Sequence, residues 1–101
     1  MPAQISLHDL RTFHRALGDS NRLRIVRILA TEGEHSASGL VRRLGVSQPL
    51  LSWHLHRLRR AGIVRTKRVG REVRCSFDRE RFAALQDRSV RGLLAPSEAS
   101  G

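Results

Sequence analysis

Hydrophobic residues recur at helical spacing in five stretches of this 101-residue chain. The stretches cover 5–17, 21–31, 36–44, 48–61 and 79–94, and in each the apolar side chains return every three or four positions. Glycines follow four of them, at 18, 33, 45 and 62, where they can end a helix. The pattern predicts five helices, with 21–31, the most apolar of them, at the centre of the core.

Between the fourth and fifth predicted helices the hydrophobic period changes to two. Residues 63–68 and 72–77 are β-prone, and Val69-Gly70-Arg71 between them suits a hairpin turn. A short extra strand is expected near His35 and Ser36. The predicted fold class is mainly α with a small β-hairpin, in the order α-α-α-α-β-β-α.

The third and fourth predicted helices are separated only by Gly45-Val46-Ser47. A short helix, a three-residue turn containing glycine and a longer helix form a helix-turn-helix, with Val46 as its buried turn residue. Ser47 suits the N-cap of the fourth helix, and Pro49 lies in the first turn, where its missing N–H does no harm. The apolar stripe of this helix consists of Leu51, Leu55 and Leu58.

The other side of the fourth helix is polar and suits a recognition helix, although a merely solvated face is the alternative. Gln48 and Ser52 lie one turn apart, so both can reach into one groove, and glutamine can pair with an adenine edge in the DNA major groove. The same side carries Pro49, Trp53, His56 and Arg60. The arginine-rich hairpin that follows is interpreted as a wing that touches phosphates or the minor groove, with a solvated ribbon as the alternative.

Positive charge is concentrated in the same region. The net charge is +10, and ten cations between Arg42 and Arg74, among them Arg57, Arg68 and Arg71, face one anion, Glu72. Such a segment suits nucleic acid. The excess of arginine over lysine fits bidentate phosphate and guanine contacts, or equally a GC-rich genome.

Other classes of protein find little support in the sequence. There are no paired carboxylates, no nucleophile beside a base and no glycine-rich phosphate loop, so an enzyme is not expected. With no long apolar run and no signal-peptide pattern, the chain is expected in the cytoplasm, without a membrane partner. The single Cys75 is interpreted as a small buried hydrophobe, with a lone redox thiol as the alternative.

A domain of this length cannot easily bury the apolar sides of both its first and its last helix. A two-fold homodimer would bury them, at ~25 cal/mol per Å² of apolar surface, and would place two recognition helices about 34 Å apart for successive major grooves. Residues 5–94 are thus expected to form the DNA-binding domain, with dimerisation helices 5–17 and 79–94, a disordered segment 1–4 and a flexible tail 95–101. The predicted dimer contacts are Leu10, Phe13, Leu17, Phe82, Leu85 and Leu93.

Several segments resemble the ArsR/SmtB family of bacterial winged-helix repressors. They are Ala16–Ile25, Leu44–Leu58, Ala61–Val64 and the hairpin through Gly70 and Arg71, and Ser-Gln-x-x-x-Ser-x-His-Leu is their most specific pattern. The resemblance covers roughly 10–85. It implies a homodimer joined through the first and last helices that binds an imperfect palindrome in a promoter. It also places Ser47, Gln48, Ser52 and His54 near DNA, although the position of His54 beside Leu58 allows a packing role equally well.

The ligands of the family's usual metal sites are missing. Ser36 and Ser38 stand where the arsenic and cadmium sensors have cysteines, and a hydroxyl does not replace a thiolate. In the last helix, Asp87-Arg88-Ser89 replaces Asp-x-His, and no histidine follows His56. The weak candidates that remain are His8 and His14, six residues apart on the first helix.

The predicted function is a sequence-specific, double-stranded DNA-binding regulator of transcription, with no cofactor. Its sensing is absent, uses an unknown ligand, or is delegated to a separate metal-sensing co-regulator protein. One alternative is an RNA-binding or ribosome-associated winged helix, although Trp53 is the only obvious stacking aromatic. Others are an interaction module that does not bind DNA and a nickel or zinc sensor that uses His8 and His14.

Overall fold

The computed structural model describes residues 5–94, so the predictions for 1–4 and 95–101 lie outside the described residues. The chain forms α1 (Leu7–Leu17), α2 (Ser20–Glu32), β1 (His35–Ser36), α3 (Ala37–Leu44), α4 (Gln48–Arg60), β2 (Val64–Val69), β3 (Glu72–Phe77) and α5 (Arg79–Leu94). The mainly α fold with a hairpin is confirmed, as is the short strand at His35 and Ser36.

The helices begin at side-chain caps that the sequence makes visible. Asp19, Ser36 and Ser47 each accept a hydrogen bond from the backbone N–H three residues further on, at the starts of α2, α3 and α4. Asp78 does the same for the N–H of Arg81 at α5. Ser6 is the cap of α1, which explains why this helix starts two residues later than predicted.

The end of α4 fixes the direction in which the chain enters the hairpin. Gly62 has φ +81, and its N–H donates to the carbonyl of Arg59 at 3.0 Å. The N–H of Ile63 donates to the carbonyl of Leu58, also at 3.0 Å. These two bonds form a Schellman motif, in which the residue after the helix must adopt the left-handed conformation that glycine tolerates.

The three strands form one antiparallel sheet in the order β1-β3-β2. Val69 pairs with Glu72, so the hairpin turn contains only Gly70 and Arg71 and is one residue shorter than predicted. Gly70 has φ +63, as the first position of a type II′ turn requires. His35 and Thr66 flank Cys75 in the register, which places β3 in the centre of the sheet.

The core lies where α2, α3 and α4 meet β3. Its fully buried side chains include Ile25, Leu40, Leu51, Leu58 and Ile63. The expectation of a largely apolar α2 surface is only partly met, because Leu23 is 50% exposed and the helix packs through one side. Burial raises the pKa of the Cys75 thiol to about 11, so this side chain is a protonated core residue, as expected of a small hydrophobe.

The first and last helices pack against each other within one chain. The rings of Phe13 and Phe82 lie 5.7 Å apart between centroids, and His14 Nε2 shares a 2.7 Å hydrogen bond with Ser89 Oγ. Leu10 and Phe13 are consequently only 4% and 1% exposed, so these two residues drop out of the predicted dimer face. Leu17, Phe82 and Leu85 are partly buried against the same core, whereas Leu93 is 60% exposed.

Candidate nucleic-acid interface

The outer side of α4 is the polar surface that the sequence predicts to be a recognition surface. Because Leu51, Leu55 and Leu58 are buried, the opposite side of this helix faces away from the chain. Its exposed residues, with the cap Ser47, are Gln48, Pro49, Ser52, Trp53, His56 and Arg60, while Arg57 is partly exposed. The structure therefore brings the predicted contact residues of this helix together on one accessible face.

His54 is the exception among the predicted contacts. It is only 3% exposed, and its Nδ1 accepts a 3.0 Å hydrogen bond from Nη1 of Arg22. Of the two roles left open for His54, its burial shows packing, so a direct contact with DNA is not proposed for it. The buried ring of His54 joins α4 to Arg22 of α2.

Arg22 is a buried residue that the sequence reading missed. Its Nε donates to the carbonyl of Ala16 at 2.8 Å and its Nη2 to the carbonyl of Arg15 at 3.2 Å. Those carbonyls belong to the last turn of α1, where the carbonyl of Arg15 also accepts the backbone N–H of Gly18 at 3.1 Å. The guanidinium of Arg22 therefore ties the end of α1 to His54 of α4 and positions the outer face of α4.

One local pattern could have revealed Arg22. It shares helical spacing with Ile25 and Leu29, which places it on the buried side of α2. An arginine on a buried helix side must find several acceptors, since an unpaired buried charge is costly. The identity of those acceptors depends on how α1 and α4 pack, and no sequence pattern gives it.

Burial lowers the pKa of His54, an effect that nearby Asp19 opposes and Arg22 reinforces. Because guanidinium can only donate, Nδ1 of His54 must be the unprotonated nitrogen. Asp19 Oδ2 lies 3.9 Å from that nitrogen and accepts a 3.1 Å hydrogen bond from the backbone N–H of Arg22. His54 is thus a neutral acceptor in this network rather than half of an ion pair.

The hairpin of β2 and β3, called the wing, lies beside α4. Arg59 Nη1 donates to Thr66 Oγ1 of β2 at 3.1 Å, which connects the helix to the wing. Arg68 and Arg71 are exposed near the turn. This hydrogen bond and the turn at Gly62 connect the wing to the C-terminal end of α4.

The cations of this region divide into paired and unpaired groups. Arg43 binds Glu32 at 2.7 Å, Arg74 binds Glu34 at 2.7 Å, and Arg65 lies 3.6 Å from Asp78. Within residues 5–94, no acidic partner lies within 4.0 Å of the predicted contact arginines Arg57, Arg60, Arg68 and Arg71. These four arginines of α4 and the wing therefore carry positive charge that no acidic side chain of the described residues compensates.

Apolar surface is exposed on another side of the molecule. Val90 and Leu93 are about half exposed, and Leu94 is 79% exposed, all on the C-terminal half of α5. A groove of about 720 Å³ runs between α2 and α5 and is lined by Val26, Ala30, Phe77, Phe82 and Val90, among others. Contiguous exposed apolar surface of this kind marks an interaction site in soluble proteins.

The weak metal candidates are not assembled into a site in the described part of the chain. His14 bonds Ser89, and no group of three or more histidine, cysteine, aspartate or glutamate side chains is placed to hold an ion among these residues. Ser36 Oγ accepts the N–H of Gly39 as a helix cap. Among residues 5–94, none of the helices combines the length and the hydrophobicity that a membrane span requires.

Comparison with known proteins connects this geometry to characterised ones. Residues 17–67 match the family described as "Helix-turn-helix domain". A probable mercury resistance operon repressor of Streptomyces lividans is 37% identical over 73 residues, which cover 72% of this chain and 58% of the relative. The chain spans between 46% and 63% of the length of the curated relatives it matches.

Solved structures show the same architecture. The crystal structure of an ArsR family transcriptional regulator superposes with a TM-score of 0.74 and 26% identity, covering 84% of this chain and 87% of that one. An ArsR-like transcriptional regulator from Rhodococcus sp. RHA1 gives a TM-score of 0.67 with 32% identity, covering 85% and 76%. The similarity thus extends from the helix-turn-helix to the wing and most of the flanking helices.

Proposed function

The chain belongs to the ArsR family of winged helix-turn-helix transcriptional regulators, and from that premise we propose that it acts as a homodimer on a palindromic promoter site in double-stranded DNA. The observation that carries the proposal is the exposed outer side of α4, where Gln48 and Ser52 stand next to a wing with uncompensated arginines. A regulator of this kind works in the cytoplasm, on the nucleoid.

In the proposed complex, α4 lies in the major groove. Gln48 and Ser52 read base edges, because they are exposed, one turn apart and at the start of the helix. Ser47, Pro49, Trp53 and His56 border them. The exposed arginines Arg60, Arg68 and Arg71, with partly exposed Arg57, neutralise backbone phosphates, which fixes the orientation of the protein without selecting a sequence.

The proposed homodimer uses the apolar surface that one chain leaves exposed. Leu93, with Val90 and Leu94 beside it, forms an apolar stripe on α5, and Leu7 of α1 is 78% exposed. A second copy would cover these side chains. The dimerisation helices within 5–17 and 79–94 are therefore retained in the proposal, with the contact moved from Leu10 and Phe13 towards the end of α5.

Metal sensing within the chain is not part of the proposal. Ser36 Oγ is engaged as the cap of α3, and Ser89 is bonded to His14, so both positions have structural partners. A separate metal-sensing co-regulator protein that binds the dimer would make DNA binding depend on metal. Calorimetric titration of the isolated protein with zinc and nickel tests this, because tight stoichiometric binding would contradict it.

Selection from a random duplex pool tests the function itself. We expect enrichment of inverted repeats with half-sites one helical turn, about 10–10.5 bp, apart, since a two-fold dimer imposes its symmetry on the site. Single-stranded RNA of equal length should compete poorly. No enrichment, or equal competition by RNA, would replace the proposal with the RNA-binding alternative or with a module that does not bind DNA.

A further inference from the structure

A cleft of about 180 Å³ opens between α1 and α4. Trp53 and Arg57 line it from α4, whereas Arg59, on the opposite flank of that helix, bonds Thr66 of the wing. The cleft therefore lies across α4 from the wing. It borders the outer side of α4, and α1 forms its other wall. The proposed DNA contacts do not include any residue of α1.

The cleft concentrates positive charge from two helices. Arg11 and Arg15 are one turn apart on α1, and Arg57 and Arg60 face them from α4. His8 and His56 add imidazole rings, and no acidic side chain is among its lining residues within 5–94. Four guanidinium groups around one cleft repel each other, and a bound anion would offset this repulsion.

The aromatic wall of the cleft holds one of these arginines in place. The guanidinium carbon of Arg57 lies 4.9 Å from the Trp53 ring centroid, and that of buried Arg22 lies 5.3 Å from it. A cation over an indole ring is attracted to it and gives up part of its conformational freedom. Arg57 is thereby held at the cleft wall without an acidic partner.

Within residues 5–94, the four cleft arginines have no acidic side chain within 4.0 Å of their nitrogens. Arg43 and Arg74, in contrast, each bind a glutamate at 2.7 Å. The cleft guanidiniums are thus available for an external anion. Planar guanidinium forks match the oxygens of phosphate and of carboxylate through paired N–H···O bonds, and phosphate is the anion that the duplex of the proposed function presents next to α4.

We propose that the α1–α4 cleft binds a phosphate group, and that this group is a backbone phosphate of the duplex. The proposal rests on the proposed function, since it adds Arg11 and Arg15 of α1 to the same DNA-binding surface. The size of the cleft favours this source: whole small ligands usually occupy about 300–1,000 Å³, whereas this cleft suits one group of a longer ligand. A free phosphate compound is the other source of the same chemistry.

The consequence is a phosphate anchor on each flank of the recognition helix. The wing provides Arg68 and Arg71 on one side, and the cleft provides Arg11 and Arg15 on the other. Contacts on both flanks fix the rotation of α4 in the major groove, because phosphate contacts set the register of a protein on its duplex. The position of the protein along the duplex then depends partly on α1.

The salt dependence of duplex binding tests the proposal. The double variant Arg11→Gln/Arg15→Gln removes two exposed charges from a helix face, and glutamine is a good helix former, so the fold is retained and circular dichroism verifies it. We expect the slope of log K against log[salt] to fall in magnitude by about 0.9 for each phosphate no longer neutralised. The control, Arg27→Gln/Arg88→Gln on α2 and α5, removes equal charge outside the cleft and should keep the wild-type slope.

A second arm identifies the source of the phosphate. Trp53 is the only tryptophan and lines the cleft, so its fluorescence reports occupancy directly. Inorganic pyrophosphate is titrated against a sodium chloride series of equal ionic strength. Saturable quenching in the wild type but not in Arg11→Gln/Arg15→Gln, with an unchanged DNA slope, would support the phosphate site and assign it to a free compound instead.

Failure of the proposed function and failure of the cleft proposal give different results. If the wild type binds no duplex, the proposed function fails, and the pyrophosphate titration still decides whether the cleft holds phosphate. If the wild type binds duplex, equal slopes for both double variants together with no quenching by pyrophosphate overturn the cleft proposal and leave the proposed function intact.

Discussion

Gln48 is the residue on which sequence discrimination depends in the proposed complex. It is exposed in the first turn of α4, and its amide can make a bidentate contact with adenine. Gln48→Ala should reduce the difference in binding free energy between selected and scrambled duplexes by ~1–3 kcal/mol. Fluorescence anisotropy measures both affinities. Gln86→Ala, an exposed glutamine on α5, is the matched control, and an unchanged preference in Gln48→Ala would remove this residue from the reading set.

His54 should make the stability of the fold depend on pH. Burial lowers its pKa below the ordinary 6.5, so the unfolded chain takes up the proton before the folded one does. Stability is therefore complete above about pH 6.5 and falls as the pH drops below it, by at most ~1.4 kcal/mol per pH unit, until the folded state is protonated too. Urea unfolding at several pH values measures this loss.

A matched pair of variants assigns that pH dependence to one ring. His54→Gln keeps an acceptor for Arg22 without a titrating group, so the loss of stability below pH 6.5 should flatten. His56→Gln removes the exposed histidine two residues further along α4 and should keep the wild-type profile. Identical profiles for both variants would mean that the titration arises elsewhere.

At the scale of the elements, the turn that ends α4 orients the wing. Gly45 and Gly62 both have positive φ, +69 and +81, but a Cβ at Gly45 meets open space whereas one at Gly62 runs into the Arg81 side chain. Alanine at either position costs ~1–2 kcal/mol for the left-handed backbone. The Arg81 side chain is exposed and flexible, so it can move away from a new Cβ at small cost. Gly62→Ala and Gly45→Ala should therefore destabilise by similar amounts in urea unfolding, and an excess for Gly62→Ala that Arg81→Ala removes would show that the Arg81 side chain cannot move aside.

The wing should contribute affinity without selectivity. Arg71 is exposed in its turn and has no acidic partner within the described range. Arg71→Ala should weaken binding to all duplexes alike and lower the magnitude of the salt slope by about 0.9, if one phosphate contact is lost. Titrations at several salt concentrations measure this, with Arg88→Ala as the control. A loss confined to the selected site would mean that Arg71 reads bases.

The sequence predicts these elements well because their limits are local. Asp19, Ser36, Ser47 and Asp78 cap helices from three residues away, and Gly62 ends α4 through neighbouring bonds. The hydrophobic period then assigns the inner side of α4 correctly. Contacts between residues far apart in the sequence could not be predicted. Arg22 and His54 are 32 positions apart, and only the packing of α1, α2 and α4 brings them together.

The sequence predicted which side chains are apolar, but it did not predict which of them are buried in the core and which remain exposed on one chain. Leu10 and Phe13 lie on the apolar side of α1, and Leu93 lies on the apolar side of α5. The same chain covers the first two side chains but leaves Leu93 60% exposed. Periodicity identifies an apolar side, and which neighbour covers it depends on tertiary packing. The radius of gyration, 15.3 Å, exceeds the ~13 Å typical of a compact chain of about 100 residues, in agreement with the elongated extents of 52 × 22 × 20 Å.

Replacing the exposed leucines of α5 should separate the proposed dimer without unfolding the protomer. Leu93 and Leu94 are 60% and 79% exposed, so Leu93→Glu/Leu94→Glu leaves the core of one chain unchanged. At ~1.5–3 kcal/mol for each leucine removed from water, their loss should weaken association by more than about a hundredfold. Sedimentation equilibrium measures the dissociation constant, and affinity for the inverted repeat should fall with it, because one protomer engages only one half-site.

The control for this experiment is Val69→Glu, which introduces one glutamate at a half-exposed apolar position in the wing. It should leave the oligomeric state unchanged, because the wing lies outside the proposed dimer face. If Leu93→Glu/Leu94→Glu remains dimeric, the second copy must instead cover another apolar surface, such as the groove lined by Val26, Ala30 and Phe82. If the wild type is monomeric while it binds the inverted repeat tightly, the two copies assemble on the DNA, and cooperative binding curves would show this.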